Sequence, residues 1–304
     1  MSATKKNLSA DAVWFVTGCS SGIGAALATT IANSGHRLVA TARNPDTLSF
    51  LPSSPNILKL RLDVTSLSQI KAAIAATISA FGRLDVLVNN AAYGVLSDFE
   101  AIPLAQAEAQ FATNFWGPLN LTKEALRVFR EDNPKGEGGT VVQVTSLGGW
   151  MGFPGGSVYS ASKFALEGMT ECISREMNPE WNIEMLIVEP GNMKSAFAGN
   201  SVVLLRHPAY EGDERCPYNT LVKFLGDPKA RETFVEPVKV ARVIFKVVAR
   251  KGDKPLPLRL PMEETVLQMM RTDMEGIEKD FKEWEDVIKS VTSDGVEKDW
   301  SFIR

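Results

Sequence analysis

The stretch Thr17-Gly18-Cys19-Ser20-Ser21-Gly22-Ile23-Gly24 decides the fold, because it joins a short apolar segment, 12–17, to an amphipathic segment, 23–34. Glycines at these positions allow a tight turn and a close approach of the backbone to a pyrophosphate. The following helix offers free N–H groups and the positive end of its dipole. A tight strand-to-helix connection alone could explain the glycines, but this order of elements favours dinucleotide binding. The residues assigned to the cofactor here are Gly18, Ser20, Ser21, Gly22, Ile23 and Gly24.

Short apolar segments rich in β-branched residues alternate with longer amphipathic segments over the first two-thirds of the chain. Strands that are apolar nearly throughout and separated by helices indicate a parallel sheet covered on both faces. Right-handed crossovers then give a doubly wound α/β sheet, the Rossmann fold, expected to fill residues 1–304 as a single domain. The predicted strands are 12–17, 37–41, 57–64, 84–89, 140–146 and 183–189, and the predicted helices are 23–34, 66–81, 104–131 and 157–178.

The pattern changes after the sixth predicted strand. Residues 191–235 lose their periodicity, and such a long irregular stretch in a domain is usually functional, which predicts a substrate-binding loop or lid. Beyond it, residues 237–250 are predicted to be helical and residues 256–260 to form a last strand. Residues 262–290 are expected to form a C-terminal helical extension, either one charged amphipathic helix or a helix pair.

Composition excludes several classes of function. A net charge of -3 gives no basic imbalance, so no nucleic-acid partner is expected. Three cysteines far apart and two histidines, His36 and His207, make a disulfide framework, a metal site or a Ser-His-Asp triad improbable, and no metal is expected. A polar N-terminus and the lack of an apolar run of roughly 18 residues predict a cytoplasmic protein without a membrane partner.

The end of the second predicted strand bears on the choice of cofactor. An acid that binds the ribose of NAD would be expected here, roughly 20 residues beyond the glycines, but the chain has Ala42 and Arg43. Arg43 offers a planar donor fork suited to a 2′-phosphate, although a solvated surface arginine is the alternative. The cofactor is therefore predicted to be NADP in preference to NAD.

Polar residues follow the third and fourth predicted strands, at the sheet edge where open α/β folds bind ligands. Asp63, next to Val64, could accept a hydrogen bond from the adenine amino group, and Asn90 with Ala91 could line the adenosine ribose. The alternative is ordinary turn chemistry, because Asp and Asn are favoured where strands end.

Tyr159 and Lys163 carry the chemistry that the sequence suggests. Their i and i+4 spacing places them on one face of a helix, and the ammonium is expected to lower the tyrosine pKa from its ordinary value of about 10. A general acid–base group works best with a pKa close to the operating pH. Ser146, thirteen residues before Tyr159 and at a strand end, can hydrogen-bond a substrate oxygen. Y-x-x-x-K alone arises easily by chance, and Ser146 raises its value.

These motifs in this order resemble the short-chain dehydrogenase/reductase superfamily in its compact, non-extended subtype. The resemblance is close over roughly residues 13–195, and the carbonyl reductase and steroid/retinol dehydrogenase branches look nearest. Two departures are Ala92, where glycine is usual, and Ser195, where threonine is commoner. The motifs are TGCSSGIG, LDV, NNAA, Asn114 in FATNFWG, Ser146 in VTSLGG, YSASK and Pro190-Gly191.

The resemblance implies a role for each matching residue. Tyr159 would be the acid–base residue, Lys163 would lower its pKa and hold the nicotinamide ribose, and Ser146 would position the carbonyl. Asn114 would hold a water that links Lys163 to solvent, whereas a buried structural hydrogen bond is the alternative. The resemblance assigns Pro190 and Gly191, after the sixth strand, to cofactor binding, and it places Met193 and Ser195 at the nicotinamide carboxamide.

The substrate is expected to be a small apolar ketone, aldehyde or secondary alcohol. Candidate pocket residues are apolar or aromatic, the usual character of small-molecule pockets, although packing of the lid onto the core explains them equally well. They include Tyr93, Val95, Trp150, Met151, Phe153, Phe197, Val202, Leu204 and Leu205.

The motifs leave other functions open. A biosynthetic tailoring enzyme that reduces an imine or catalyses epimerisation would keep the same fold and cofactor, and a non-catalytic NADP-binding regulator is the third reading. Relatives pair through the helices that begin near residues 104 and 157, which implies a homo-oligomer. The charged C-terminal helix could instead cover that surface and leave a monomer.

Overall fold

A seven-stranded sheet, in which all strands run parallel, forms the centre of the computed structural model, which describes residues 8–194, 201–249 and 255–291. The strands of this sheet are β1 (Val13–Val16), β2 (Arg37–Ala42), β3 (Ile57–Arg61), β4 (Val86–Asn89), β6 (Gly139–Val144), β7 (Ile183–Pro190) and β9 (Arg259–Met262). Their spatial order is β3-β2-β1-β4-β6-β7-β9, so the winding direction reverses between β1 and β4. Ligands of doubly wound folds bind at such a reversal, and the predicted fold class is confirmed.

Helices cover both faces of the sheet. They are α1 (Gly22–Ser34), α2 (Leu67–Phe81), α3 (Leu104–Phe111), α4 (Gly117–Glu131), α5 (Ser157–Glu176), α6 (Pro217–Gly226), α7 (Pro228–Glu232), α8 (Pro237–Ala249), α9 (Glu264–Glu283) and α10 (Glu285–Lys289). Successive residues of β1 point to opposite faces, so Trp14 packs with α1 and α8 while Phe15 packs with α2 and α4. Burial on both faces explains why the strands are apolar throughout.

The predicted helix over residues 104–131 is wrong in one detail, because a π-helical turn, Ala112–Trp116, separates α3 from α4. Pro118, in the first turn of α4, has no N–H to donate to the preceding turn, which favours a local change of hydrogen-bond register. Gly117 lets this segment lie against Val64, since a Cβ there would come within 2.9 Å of the Val64 carbonyl oxygen. The turn carries Asn114.

The described parts of the segment 191–235, which are residues 191–194 and 201–235, are more regular than the sequence indicates. Strand β8 (Val202–Val203) pairs with β5 (Val95–Leu96) in a separate two-stranded sheet, and α6 and α7 follow. An ion pair connects the segment after β8 to the segment after β5, because the Nε and Nη2 of Arg206 lie 2.6 Å and 2.9 Å from the carboxylate oxygens of Asp98. Short helices that begin with proline have too little periodicity to stand out in a sequence.

The C-terminal extension is the helix pair α9 and α10, one of the two forms expected for residues 262–290. Strand β9 begins three residues and ends two residues later than predicted, and it includes Pro261, which an edge strand tolerates. Among the described residues, no helix combines the length and the apolar character that crossing a bilayer requires.

Candidate active site

The glycine loop lies where β1 and β4 diverge, and its backbone conformation explains the glycines. Gly18 and Gly22 have φ of 70° and 57°, which glycine adopts without strain. A Cβ on Gly24 would collide with the carbonyl oxygen of Gly18 and with the side-chain amide of Asn90. The loop therefore turns tightly onto the N-terminus of α1, where the side chain of Ser21 makes no capping hydrogen bond.

Thr17 and Asn90 brace this loop, a role that sequence reasoning did not assign. The Thr17 hydroxyl accepts hydrogen bonds from the backbone N–H groups of Asn90 (2.9 Å) and Ala91 (3.0 Å). The Asn90 amide donates to the carbonyl oxygens of Thr17 (2.9 Å) and Gly18 (3.2 Å). These contacts tie β4 to the glycine loop, and a ribose contact by Asn90 or Ala91 stays a prediction.

Arg43 and Asp63 lie at the same edge of the sheet. Arg43 is exposed at the end of β2, and its charge acts on both Asp63 and Tyr93. The Asp63 carboxylate accepts from the backbone N–H (3.0 Å) and the hydroxyl (2.7 Å) of Thr65. Bonds to Thr65 and the charge of Arg43 lower the pKa of Asp63. One oxygen of Asp63 thus stabilises the turn that follows β3. Its contact with the adenine stays a prediction, and so does a contact between the cofactor and Val64, which is buried.

Ser146, Tyr159 and Lys163 come together at the carboxyl end of β6. The hydroxyls of Ser146 and Tyr159 are hydrogen-bonded. The Lys163 Nζ lies 5.8 Å from the centroid of the Tyr159 ring and donates to the Val144 carbonyl oxygen at 2.9 Å. Gly148 backs the phenol ring, since a Cβ there would lie 3.2 Å from the Tyr159 Cε1. Strand β6 and helix α5 thus place all three side chains in one group.

The electrostatics of this group differ from the expectation. Burial raises the pKa of Tyr159 to about 12, and the hydrogen bond with Ser146 only partly opposes it. Burial also lowers the pKa of Lys163 to about 8, against the charge of Glu167. The predicted net lowering of the Tyr159 pKa is therefore wrong, because desolvation of the phenol outweighs the influences that favour the phenolate. Both groups are protonated at neutral pH.

Asn114 is buried and serves as a structural link. Its amide donates to the Tyr93 carbonyl oxygen (3.0 Å) and to the Ser162 hydroxyl (3.1 Å), while its oxygen accepts from the Tyr93 backbone N–H (3.2 Å). These bonds agree with the structural alternative drawn from the sequence. A water held for proton relay stays a prediction.

The segment after β7 closes the edge of the site. Pro190 ends the strand, and Gly191 packs against α9, since a Cβ there would lie 2.7 Å from the Val266 Cγ2. Met193 bridges to Val235 at the far end of the predicted lid. Ser195 and Phe197 lie outside the described residues, so their predicted roles are not placed.

Two residues from the sequence analysis have other surroundings than expected. The Trp150 ring lies 5.3 Å from the Arg259 guanidinium, and its indole N–H donates to Asp273 at 3.0 Å, so it packs toward α9. Leu205 is 90% exposed.

Cys19, inside the glycine motif, is buried, and burial raises the pKa of its thiol to about 12, which leaves it unreactive at neutral pH.

A buried ion network beside Lys163 was also missed. Arg259 contacts the carboxylates of Glu167 and Glu189, which are almost completely buried. The sequence does carry a signal for it, because Glu189 directly follows the four apolar residues 185–188 of β7 and Glu167 follows Lys163 by one helical turn.

Comparison with known proteins identifies the class. The family model described as short chain dehydrogenase matches residues 12–202, more than half of the chain, and the protein belongs to this family. The resemblance read from the motifs is therefore confirmed. As a member, it is an oxidoreductase.

Individual relatives cover most of the chain. The oxidoreductase calM of Penicillium decumbens is 42% identical over 274 residues, 88% of this chain and 89% of that protein. The 3-ketodihydrosphingosine reductase of Bacteroides thetaiotaomicron is 34% identical over 240 residues, 78% and 83% of the two chains. The crystal structure of a short-chain dehydrogenase from Streptomyces avermitilis superimposes with a TM-score of 0.80 at 31% identity, over 93% of this chain and all of that one.

Proposed function

We propose that this protein is an NADP(H)-dependent oxidoreductase that interconverts an apolar ketone or aldehyde and the corresponding alcohol. The observation that carries the proposal is the group of Ser146, Tyr159 and Lys163, which lies at the carboxyl edge of the sheet that also holds the glycine loop. A proton donor beside a dinucleotide site is what reduction of a carbonyl requires.

The fit of a dinucleotide rests on the glycine loop. The space that a Cβ on Gly18 or Gly24 would fill is taken up by backbone, so the loop presents N–H groups at the start of α1. Arg43, exposed beside this loop, would hold the 2′-phosphate of NADP with its planar fork. The nicotinamide supplies the hydride, and the protein supplies placement and charge.

Tyr159 is suited to give a proton to a carbonyl oxygen. With a pKa of about 12 it is protonated at neutral pH, and Ser146 is positioned to orient the same oxygen through its hydroxyl. The Lys163 ammonium, 5.8 Å from the ring, would stabilise the phenolate that remains after transfer. Alcohol oxidation would use the same groups in reverse.

An apolar substrate is supported by the surroundings and by a relative. Leu147, Met151 and Phe153 form a small apolar cluster beside the catalytic group, against α9. The Bacteroides relative is named 3-ketodihydrosphingosine reductase. The segment 191–235 would act as the substrate lid, and a cytoplasmic location and a homo-oligomer stay predictions.

A panel of apolar ketones and aldehydes, assayed by NADPH consumption at 340 nm, tests the proposal. Tyr159→Phe should lower kcat/KM by at least about 100-fold, because a positioned general acid contributes that much. Ser146→Ala should have an effect of about the same size, because it removes a hydrogen bond to the reacting oxygen. Ser174→Ala is the matched control, since its hydroxyl only bonds the Glu171 carbonyl oxygen of its own helix, at 2.7 Å. Full activity in folded Tyr159→Phe enzyme would refute the assignment.

A further inference from the structure

Two carboxylates share one guanidinium in the interior of the protein. The side chains of Glu167 and Glu189 are 3% and 0% exposed, and Arg259 is 28% exposed. The Arg259 Nη1 bonds the Glu167 Oε2 and lies 2.8 Å from the Glu189 Oε1. Charges this deeply buried are stable only when they are paired, and removal of one partner is strongly destabilising. Glu167 of this network lies one helical turn from Lys163, the proposed catalytic lysine.

Glu167 belongs to the face of α5 that carries the catalytic pair. Tyr159, Lys163 and Glu167 follow one another at intervals of four residues, so their side chains line one stripe of the helix. Gly149 lies over this stripe, because a Cβ there would collide with the Glu167 carboxylate and lie 3.2 Å from the Lys163 Cβ. A larger residue at position 149 would force the Glu167 carboxylate to shift.

Arg259 holds Glu167 from the opposite side. Strand β9 presents its guanidinium under α5, where the ring of Trp150 covers it at 5.3 Å. The Trp150 indole in turn donates to Asp273 of α9 at 3.0 Å. Contacts therefore run from the C-terminal helix through Trp150 and Arg259 to Glu167.

We infer that Glu167 is a positioning residue for the proposed reaction: its carboxylate, fixed by Arg259, keeps the Lys163 ammonium charged beside Tyr159. This inference deepens the proposed function and rests on it for the catalytic role of Lys163.

The charge balance of the interior supports this role. Lys163 is 2% exposed, and burial lowers its pKa to about 8, while the negative charge of Glu167 opposes that loss. Burial likewise raises the pKa of Glu167, and Arg259 opposes protonation of the carboxylate. Arg259 thus opposes protonation of Glu167, and the negative charge of Glu167 in turn favours the charged form of Lys163.

Other titratable groups face this network from every neighbouring element. They are Tyr159 and Glu171 on α5, Glu189 on β7, Arg259 on β9 and, through Trp150, Asp273 on α9. The pKa of Lys163 is set by burial and by the charge of Glu167, so Glu167 is the residue to change.

The test uses Glu167→Gln, which keeps the shape of the side chain and removes its charge. Protein labelled with ¹³Cε-lysine is titrated by NMR, and the Lys163 signal is assigned with Lys163→Arg. The titration midpoint of Lys163 should fall by about one pH unit, the size of effect that a neighbouring opposite charge produces. The alkaline limb of the kcat/KM profile should move to lower pH by the same amount.

Glu171→Gln is the matched control. Its carboxylate is half-buried, lies 3.3 Å from the Arg259 Nη2 and is one turn further from Lys163, so the Lys163 midpoint should stay in place. Glu167→Asp, which keeps the charge, should restore part of the wild-type midpoint. If Glu167→Gln does not fold, Arg259→Gln should lower the midpoint as well, because unsupported Glu167 then takes up a proton.

An unchanged Lys163 midpoint in folded Glu167→Gln protein, or an equal change in Glu171→Gln, would overturn the inference. The NMR titration needs no turnover. Failure of the proposed function, seen as full activity in Tyr159→Phe, is therefore distinguishable from failure of the coupling between Glu167 and Lys163.

Discussion

Replacing Glu189 by glutamine should change how the stability of the protein depends on pH. The carboxyl group lies in β7 and is completely buried, and desolvation together with the negative charge of Glu167 raises its pKa from 4.5 to about 7. The hydrogen bond from Arg259 opposes this rise but does not cancel it. Glutamine fills the same space and cannot ionise.

The pH dependence follows from the difference between the pKa of Glu189 in the folded and in the unfolded protein. The folded protein holds the Glu189 proton at pH values where the unfolded chain has released it. The contribution of Glu189 to stability is therefore fully present below pH 4.5 and is lost as pH rises through about 7. The difference between the two pKa values corresponds to about 3 kcal/mol at 1.36 kcal/mol per pH unit. Relative to wild type, Glu189→Gln should therefore gain about 3 kcal/mol between pH 4.5 and pH 8.

Urea unfolding followed by circular dichroism, repeated across this pH range, measures the effect. The difference in unfolding free energy between the two proteins is taken at each pH, and any pH-independent cost of the substitution cancels when that difference is compared between two pH values. Glu176→Gln, at an exposed position at the end of α5, is the control and should follow the wild-type curve. Free energies of unfolding that run parallel with pH for wild type and Glu189→Gln would refute the reasoning.

Three further predictions concern the cofactor site and the backbone. Arg43→Ala should raise the KM for NADPH at least tenfold and leave the KM for NADH nearly unchanged, and equal changes would contradict a 2′-phosphate contact. Gly24→Ala should weaken NADPH binding in a fluorescence titration, since a Cβ there collides with the Gly18 carbonyl oxygen, and unaltered affinity would show that the loop adapts. Gly168→Ala should instead stabilise the fold by about 0.5–1 kcal/mol, because alanine favours a helix over glycine and this helical position has open space around it. Urea unfolding measures the change, and a lower or unchanged stability would contradict the prediction.

The sheet was predictable from the sequence because burial on both faces leaves a simple signal. Apolar strands separated by helices indicate one topology, and the order of the glycine loop and the strand ends places the site. The spacing of Tyr159 and Lys163 was equally readable, because it follows from the helical repeat. Ser146 was found from its position at a strand end.

Other features depend on tertiary context that a sequence does not display. The π-helical turn at Asn114 reflects a local register change, and α6 and α7 are too short for periodicity to reveal them. The pKa of Tyr159 depends on desolvation, which spacing along a helix cannot measure. Arg259 lies 92 residues from Glu167, so their pairing follows from the fold and not from a motif.

Isotope transfer tests the central claim most directly. NADPH carrying deuterium at the reactive position of the nicotinamide is incubated with the enzyme and a ketone that the activity screen identifies, and the alcohol is analysed by mass spectrometry. The account predicts one deuterium on the carbinol carbon of the product, and loss of that product in Tyr159→Phe enzyme. Alcohol formed without deuterium, or formed equally well by Tyr159→Phe, would contradict it.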